Sequence, residues 1–289
     1  MILSDLLYTV AIPLALITVM LGMGLSLTVT DLKRVIVFPK AVATGLVGQL
    51  FLLPALAFLL SAILAPSPVI AAGAIMLAAC PGGVTSNAYT FAARADVALS
   101  VTLTAIESVI TIFTIPLFAY FALNYYLDQG SAPDVPAGAM IRQLAMITII
   151  PISCGMVFRE FRPELAARLV ELLRTVTLYV LIVLIVTAAA ASWEVVIENF
   201  VQAGLLVLTL NLLSMGMGYA LGRISGLPAA QQVTLVYEVG VQNISLALLV
   251  TLTLLESPPL AIVSLLYAVI MPITALGFLK VASRLRRHD

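Results

Sequence analysis

Uncharged stretches long enough to cross a lipid bilayer recur along the whole chain. They cover residues 6–30, 41–93, 108–127, 143–158, 175–193, 199–222 and 257–279. Because a spanning helix needs about 20 predominantly apolar residues, most of these stretches hold one helix and the longest holds two. Hydrophobic residues make up 62% of the chain and charged residues only 10%, which is far from the composition of a soluble domain. The sequence therefore predicts an all-α polytopic membrane protein with a single membrane domain, residues 1–289.

Nine spanning helices are predicted from the positions of proline, glycine and charged residues. Their approximate ranges are 5–28, 40–64, 68–93, 96–124, 138–158, 166–190, 199–222, 229–254 and 259–283. Of the 14 lysines and arginines, all but Arg142 fall on one face of this arrangement. Because lysine and arginine near helix ends are retained in the cytoplasm, the N-terminus is predicted outside and the C-terminus inside.

Composition and cysteine usage disfavour several function classes. The 14 basic and 14 acidic residues balance, which gives no indication of a nucleic-acid partner. The one histidine, His288, lies in the C-terminal tail and the sequence contains no zinc-ligand cluster, so an intramembrane enzyme is not expected. Cys80 and Cys154 are far apart in apolar segments, and both are predicted to be small buried hydrophobic residues rather than a disulfide or metal pair.

Two carboxylates, Glu107 and Glu238, fall well inside predicted helices. A charge at mid-bilayer costs at least about 2.5 kcal/mol, so it normally faces a partner, a water-filled cavity or an ion. The structural alternative is a glutamate satisfied by neighbouring hydroxyls or amides. Ser100, Thr104 and Glu107 are spaced four and three residues apart, which places them on one helix face. Together they predict a polar cavity, whereas a hydroxyl residue alone often bonds only to its own helix.

The segment CPGGVTSN combines a helix break with polar side chains. Pro81 lacks the helical N–H donor and the two glycines resist helix formation, so the helix is predicted to break here. Thr85, Ser86 and Asn87 follow directly and would begin a new half-helix with hydroxyl and amide oxygens.

A second predicted break lies in the segment EVGVQN. Gly240 follows Glu238 and precedes Gln242 and Asn243. A helix that opens at this point exposes backbone carbonyls that can coordinate a small cation. Two interrupted segments at corresponding places in two halves indicate an inverted repeat and are typical of a transporter's central site. Gln49 is a further amide in an apolar run, for which an ordinary interhelical hydrogen bond is the alternative.

The chain resembles the bile acid:sodium symporters and their bacterial relatives. The likeness rests on GMGL near Gly22, on CPGG followed by SN, on DVALSVTLT from Asp96, and on EVGVQN from Glu238. The resemblance implies an inverted-repeat fold with two discontinuous crossing helices, divided into core and panel domains. The core would comprise about 40–64, 68–93, 96–124, 199–222, 229–254 and 259–283, and the panel about 5–28, 138–158 and 166–190. Bacterial relatives have ten helices, and this chain starts at what resembles their second.

Two sodium sites and a substrate site are implied by the same resemblance. The first sodium site would use Ser86, Asn87, Ser100, Thr104 and Glu238. The second would use Gln49, the Glu238 side chain, Gln242 and the main-chain carbonyls of Val239 and Val241. The substrate would be bound near Thr85 and Asn243, and we add Glu107, which the family pattern does not include, to this site.

Glu107 departs from the family pattern, because relatives have a small hydroxyl residue at this position. The extra carboxylate could strengthen cation binding, take a proton, or favour a substrate with a positive group. We hypothesise that Glu107 tunes the coupling ion. Unchanged sodium dependence in Glu107→Ser would contradict this hypothesis.

The function implied is sodium-coupled symport of an organic anion, bile acid-like or a small carboxylate, by alternating access. Sodium would act as coupling ion and no other cofactor is expected. The protein would lie in lipid, as a multi-pass protein of a bacterial inner membrane, with monomer and dimer both open. Two alternatives remain: a proton-coupled or cation-driven exporter similar to the arsenite carriers, and a membrane sensor that binds a ligand without transporting it.

Overall fold

The computed structural model describes residues 10–127, 135–191 and 193–285, and helices joined by short connections account for most of them. The predicted start of the first helix, residues 5–9, and the end of the basic tail, residues 286–289, lie outside this range. We number the helices in chain order as α1 Ile12–Ser26, α2 Val29–Val37, α3 Pro39–Leu64, α4 Pro68–Ala78, α5 Val84–Ala92, α6 Val97–Tyr126, α7 Ala137–Phe161, α8 Pro163–Ala191, α9 Trp193–Ile224, α10 Ala229–Gly240, α11 Ile244–Leu254 and α12 Pro258–Leu285.

Five helices in the described part of the chain are long and apolar enough to cross a membrane. They are α3, α6, α7, the Ala203–Ile224 part of α9, and α12. Shorter apolar helices, α1, α4 and α11, accompany them. Large apolar side chains such as Phe51, Phe113 and Ile273 are exposed, as expected for helix faces that contact lipid rather than water. The chain is an all-α, multi-pass integral membrane protein.

The helix bounds agree with the predicted segments except at a few places. The segments 68–93 and 229–254 each contain two helices, α4 with α5 and α10 with α11, separated at the predicted breaks. Helix α2 lies between the first two predicted segments, where no spanning helix is predicted. Its sequence VTDLKRVIV is amphipathic and too short to span lipid, with Ile36 82% exposed beside an exposed Lys33.

The two cysteines differ in environment. Cys80 is buried, and its thiol donates a hydrogen bond to the Met76 carbonyl at 3.3 Å. Cys154 is exposed, so the prediction that both cysteines are buried was wrong for this residue. It lies on a face of α7 that other described helices do not cover, beside the equally exposed Ser153. Both cysteines are free thiols.

The candidate site lies between four helices, α3, α5, α6 and α10. Helix α6 packs against α4 and α5, and α10 packs against α5, α6 and α9. Helix α9 also packs against α12 and α3. Helices α1, α7 and α8 pack against one another, and they correspond to the three segments predicted as the panel. The division into two moving domains stays a prediction.

Candidate functional site

The two helix breaks contact each other directly through their backbones. The Gly83 N–H donates to the Val241 carbonyl at 2.7 Å, and the Asn243 N–H donates to the Pro81 carbonyl at 3.1 Å. These bonds form an isolated antiparallel bridge between Gly82 and Gln242. Each break therefore satisfies backbone groups that the other leaves without helical partners, as a buried backbone requires.

Glycines in the first break allow this close approach. A Cβ atom on Gly82 would lie 2.6 Å from Oε1 of Glu238, and one on Gly83 would lie 2.7 Å from the Gln242 carbonyl oxygen. Both separations are shorter than non-bonded atoms tolerate, so a side chain at either position would push the two breaks apart. The glycines that weaken the helix thus also make room for the second break and its carboxylate.

The carboxylate of Glu238 is the centre of a fully buried polar cluster. Ser100 on α6 donates to its Oε2 at 2.7 Å, and Ser86 on α5 donates to the same oxygen at 2.9 Å. Thr104, one turn beyond Ser100, donates to Oε1 at 2.5 Å. All four side chains are completely shielded from solvent. The helical spacing of four residues on α6 brings both hydroxyls to the carboxylate of Glu238, whereas spacing alone grouped them with Glu107.

The cluster offsets part of the cost of burying this charge. Hydrogen bonds to an ionised carboxylate are roughly twice as strong as neutral ones, and Glu238 accepts three of them. Ser86 lies in the first turn of α5, whose N-terminus carries a partial positive charge. Glu238 itself lies in the last turn of α10, where the helix dipole is unfavourable to an anion. The hydroxyls remove no charge, so a cation would stabilise this site further.

Asn87 is adjacent to the cluster in sequence but makes no hydrogen bond to it. Its side-chain oxygen Oδ1 is fully buried and has no hydrogen-bond partner in the described part of the chain. Of the five residues predicted for the first sodium site, four thus form one hydrogen-bonded cluster, and the fifth, Asn87, has a buried acceptor oxygen without a described partner. Their role as sodium ligands stays a prediction.

A second polar cluster joins α3 to the two breaks. Gln49 Nε2 donates to the Cys80 carbonyl at 2.8 Å and to Oε1 of Gln242 at 2.9 Å. Gln242 Nε2 donates to the Val239 carbonyl at 2.9 Å. The structure therefore brings three of the residues predicted for the second sodium site into hydrogen-bond contact. Val241, also predicted there, directs its carbonyl to the Gly83 N–H in the bridge.

The residues predicted for substrate binding lie around the same bridge. Thr85 is exposed, at the start of α5. Asn243 is nearly buried: its Oδ1 accepts from the Leu246 N–H at 3.0 Å, whereas its Nδ2 has no partner among the described residues. Glu107 is fully buried on α6, and its Oε2 accepts from the Gly82 N–H at 3.0 Å.

The two buried carboxylates flank Gly82. The contacts of this glycine with both side chains keep a Glu107 oxygen and a Glu238 oxygen within roughly 8 Å of each other. In the part of the chain whose side chains the structure describes, the buried polar residues include no lysine, arginine or histidine. When both carboxylates are ionised, the site is strongly electronegative and favours cations.

Comparison with known proteins identifies the family. The sequence profile of the Sodium Bile acid symporter family matches residues 13–199. The chain belongs to this family. The match includes the first helix break, α5 and α6, which carry all three hydroxyls that donate to Glu238.

Individual members of the Sodium Bile acid symporter family are similar over most of the chain. The uncharacterized sodium-dependent transporter YocS of Bacillus subtilis is 31% identical over 229 residues, 78% of this chain and 68% of its own length. The probable sodium/metabolite cotransporter BASS1, chloroplastic, of rice is 31% identical over 224 residues, which is 78% of this chain but 54% of that protein. The hepatic sodium/bile acid cotransporter of the rat is 28% identical over 249 residues, 84% of this chain and 67% of its own length. The chain thus spans about half of the rice relative's length.

Sequence reasoning missed a third polar group that holds the second break. Asn211 on α9 donates from Nδ2 to the Gly240 carbonyl at 2.9 Å and to the Tyr267 hydroxyl at 2.9 Å. The Tyr267 hydroxyl also donates to the Gly240 carbonyl, at 2.8 Å, and Thr274 donates to Oδ1 of Asn211 at 2.5 Å. The signal was present, because Asn211 is an amide within an apolar run, as Gln49 is.

Proposed function

We propose that this protein is a secondary active transporter that couples the inward flow of sodium to the uptake of an organic anion. The observation that carries the proposal is the environment of Glu238: a carboxylate with no solvent exposure, held by three hydroxyls, where two helix breaks meet. Hydroxyls alone, the structural alternative, satisfy hydrogen bonds but leave the negative charge buried, and an ionisable residue within the membrane is by default taken as part of an ion or substrate pathway. The names of the relatives, sodium-dependent transporter and sodium/bile acid cotransporter, agree with this proposal.

The first sodium ion would bind at the Glu238 cluster. Every group that converges there offers oxygen, the ligand type that hard cations prefer. In the arrangement described above, the hydroxyl hydrogens point to the carboxylate, and a hydroxyl oxygen keeps lone pairs for a cation once its hydrogen turns away. The buried, unpaired Oδ1 of Asn87 would complete this set with Ser86, Ser100, Thr104 and Glu238.

The second sodium ion would bind beside the amide pair Gln49 and Gln242. A cation there would be coordinated by the amide oxygens of both residues, the carboxylate of Glu238, and the carbonyls of Val239 and Val241. The amides and the Val239 carbonyl already contact one another, and amide side chains rotate readily, so little backbone rearrangement is required. Glu238 would be shared by both sites, and its charge would favour both ions.

The substrate would bind on the exposed side of the bridge. Thr85 begins α5, a nine-residue helix whose N-terminal N–H groups and partial positive charge suit a carboxylate. Asn243 adds a buried amide donor without a partner in the described region. An organic anion is the class that these donors suit, either bile acid-like or a small carboxylate.

Alternating access would follow from movement of two groups of helices around this site. We propose nine spanning helices in two inverted repeats, of which α4 with α5 and α10 with α11 are the discontinuous pair. In this arrangement α1, α7 and α8 form the panel and the other spanning helices form the core. Sodium would hold the two breaks together, so that the substrate site is complete only when cations are bound.

The energetics favour uptake against a gradient. Two sodium ions with one monovalent anion move one net positive charge inward, and each such charge gains about 2.3 kcal/mol per 100 mV. We place the protein in a bacterial inner membrane with the N-terminus outside and the C-terminus cytoplasmic. The proposal involves no enzymatic activity, no cofactor besides the coupling ions and no partner besides substrate and lipid.

Uptake into vesicles tests this function directly. Purified protein is first screened for thermal stabilisation by organic anions in sodium and in potassium, and each hit is then measured for uptake under either gradient. We expect anion accumulation that requires inward sodium and persists between pH 6 and 8. Accumulation driven by a pH gradient alone, or export, would favour the arsenite-carrier-like alternative. Sodium-dependent binding without transport would favour the sensor.

A further inference from the structure

The Glu107 carboxylate has an oxygen that no group in the described part of the chain satisfies. Glu107 has no solvent exposure, and its Oε2 accepts one hydrogen bond, from the Gly82 N–H at 3.0 Å. Its Oε1 is equally buried and has no hydrogen-bond partner among the described residues. A buried carboxylate oxygen without a donor is costly. A donor that reaches this oxygen only when a ligand is bound would explain why the carboxylate is present.

Glu107 lies beside the proposed substrate site rather than within the Glu238 cluster. It makes no hydrogen bond to Ser86, Ser100, Thr104 or Glu238, whose contacts satisfy one another. Instead it contacts the Pro81–Gly82 peptide, whose carbonyl accepts from the Asn243 N–H and whose N–H donates to Glu107. One peptide unit therefore bonds both to the backbone of Asn243, whose side-chain Nδ2 is unpaired, and to the carboxylate of Glu107, whose other oxygen, Oε1, is likewise unpaired within the described ranges.

These two unpaired groups have opposite preferences. Nδ2 of Asn243 can only donate, so it suits a carboxylate of a substrate. Oε1 of Glu107 can only accept when the carboxylate is ionised, so it suits a cationic donor such as an ammonium group. In the part of the chain whose side chains are described, no lysine, arginine or histidine is buried to fill this role.

We propose that Glu107 binds a positively charged group of the substrate, and that the preferred substrates are zwitterions that carry both a carboxylate and an ammonium group. The inference rests on the proposed transport function and changes its substrate from a monovalent organic anion to a carboxylate that also carries an ammonium group and is net neutral. In this arrangement Asn243 and the start of α5 bind the carboxylate end, and Glu107 binds the ammonium end across the Pro81–Gly82 peptide.

A third alkali cation at Glu107 agrees less well with the contacts. Such an ion needs several oxygen ligands, whereas one Glu107 oxygen is already held by an N–H donor. The nearby hydroxyls on the same helix serve its backbone: Ser108 donates to the Thr104 carbonyl at 2.6 Å and Thr111 to the Ser108 carbonyl at 3.4 Å. A single free acceptor oxygen suits an ammonium donor better than a cation that needs a cage.

Matched ligand pairs test this inference in the intact protein. The probes are 3-aminopropionate, 4-aminobutyrate and 5-aminopentanoate, each compared with the unsubstituted carboxylate of the same chain length. Thermal stabilisation and vesicle uptake are measured in sodium and in potassium, for the wild type, for Glu107→Gln, and for Glu160→Gln as an exposed control. We expect the wild type and the control to bind at least one amino-bearing probe about tenfold more tightly than its partner, because a charge-assisted hydrogen bond is lost in the plain acid.

The Glu107→Gln variant should lose this preference, since an amide cannot supply the negative charge. The sodium concentration that gives half of the maximal stabilisation should stay within about twofold of the wild-type value. A wild type that prefers the plain carboxylates overturns the proposal without any variant. A variant that keeps the amino preference, or one in which only the half-maximal sodium concentration changes, overturns it too, and the latter assigns Glu107 to the coupling ion. If no organic acid, with or without an amino group, is bound or transported in a sodium-dependent way, the proposed function itself fails.

Discussion

We expect the three hydroxyls around Glu238 to make separable contributions to cation binding. Thr104 donates at 2.5 Å and would be a ligand of the first sodium site, so Thr104→Val removes an oxygen while it keeps the shape of the side chain. We expect sodium affinity to fall about tenfold, since a hydrogen bond to a charged group contributes about 1.5–3 kcal/mol. The sodium dependence of the melting temperature measures this change.

Thr111→Val is the matched control for Thr104→Val. Thr111 is buried on the same helix, but its hydroxyl bonds only to the Ser108 carbonyl of that helix. Its replacement should leave sodium affinity unchanged. Equal losses in both variants would mean that the hydroxyls act through helix packing and not as ligands.

Individual side chains were predictable from the sequence where cost or spacing identified them. Glu238 is conspicuous as a charge in lipid, and helical periodicity places Ser100 and Thr104 on one helix face. Their shared contact with Glu238 was implied only by the family resemblance. Asn211 was missed, since nothing in the spacing of α9 relates it to Gly240, and only the fold brings them together. The unpaired oxygen of Glu107 was equally beyond prediction, because side-chain direction depends on packing between helices.

The contact between the two helix breaks depends on the absence of a side chain at position 82. In Gly82→Ala the new methyl would lie 2.6 Å from Oε1 of Glu238 and would displace the carboxylate. We expect a loss of about 1–3 kcal/mol in stability, typical of overpacking, together with weaker stabilisation by sodium. Thermal unfolding in sodium and in potassium separates these two effects.

The control for that change is a glycine in open surroundings. Gly216 lies in α9 with no atom within 4 Å of a built Cβ, so Gly216→Ala should be neutral or should stabilise the protein by up to about 1 kcal/mol. If Gly82→Ala behaved in the same way, the two breaks would not be as closely opposed as described.

The end of α10 depends on the Asn211 group. Asn211→Leu removes the Nδ2 group that donates to the Gly240 carbonyl and to the Tyr267 hydroxyl. We therefore expect the free energy of unfolding to fall by about 1–3 kcal/mol. Asn124→Leu removes an exposed amide that bonds only to its own helix, and it should change stability by less than about 0.5 kcal/mol. Chemical denaturation or thermal melting distinguishes them, and an unaffected Asn211→Leu would mean that Tyr267 alone holds the helix end.

The positions of the helices could be predicted from the sequence more closely than the type of each helix. Proline and glycine predict the break after Cys80, because proline lacks the backbone N–H donor and glycine disfavours helix. Helix α4 ends before this break and α5 begins after it. Helix α2 was not predicted, since its nine residues are too few for the spanning criterion and its polar face resembles a loop. The π-helical turns at Gly48–Leu52 and Leu249–Leu254 have no signature in local propensity.

The basic residues at the helix ends predict the orientation of the whole molecule in the membrane. Cysteines introduced at the exposed positions Arg142 and Arg223, in a Cys154→Ser background, should differ in labelling by a membrane-impermeant maleimide. Cys80 is buried and can stay. We expect position 142 to be labelled in intact cells and position 223 only after disruption, because 142 is the one basic site predicted outside. The opposite pattern would invert the membrane orientation and the direction of coupling.

The overall class of the molecule could be predicted for two reasons. A backbone that crosses lipid must satisfy its own hydrogen bonds, which favours helices, and the length of each uncharged stretch can be counted in the sequence. The pairing of the breaks was suggested by the two interrupted segments, but the bridge itself needs the distances between Gly83 and Val241 and between Asn243 and Pro81. Which helices move together is a property of the assembly that neither spacing nor composition encodes.

Sodium-driven uptake by Glu238→Gln tests the central claim most directly. The amide keeps the size of the side chain and can still accept hydroxyl hydrogens, but it removes the charge that the cations would balance. In wild type and in the exposed control Glu160→Gln, sodium should stabilise the protein, by about 2.7 kcal/mol at a hundred times its dissociation constant, and should drive uptake, whereas potassium should do neither. The account predicts that Glu238→Gln folds but shows no stabilisation by sodium and no sodium-driven uptake. Uptake at the wild-type level with an intact sodium response in this variant would contradict it.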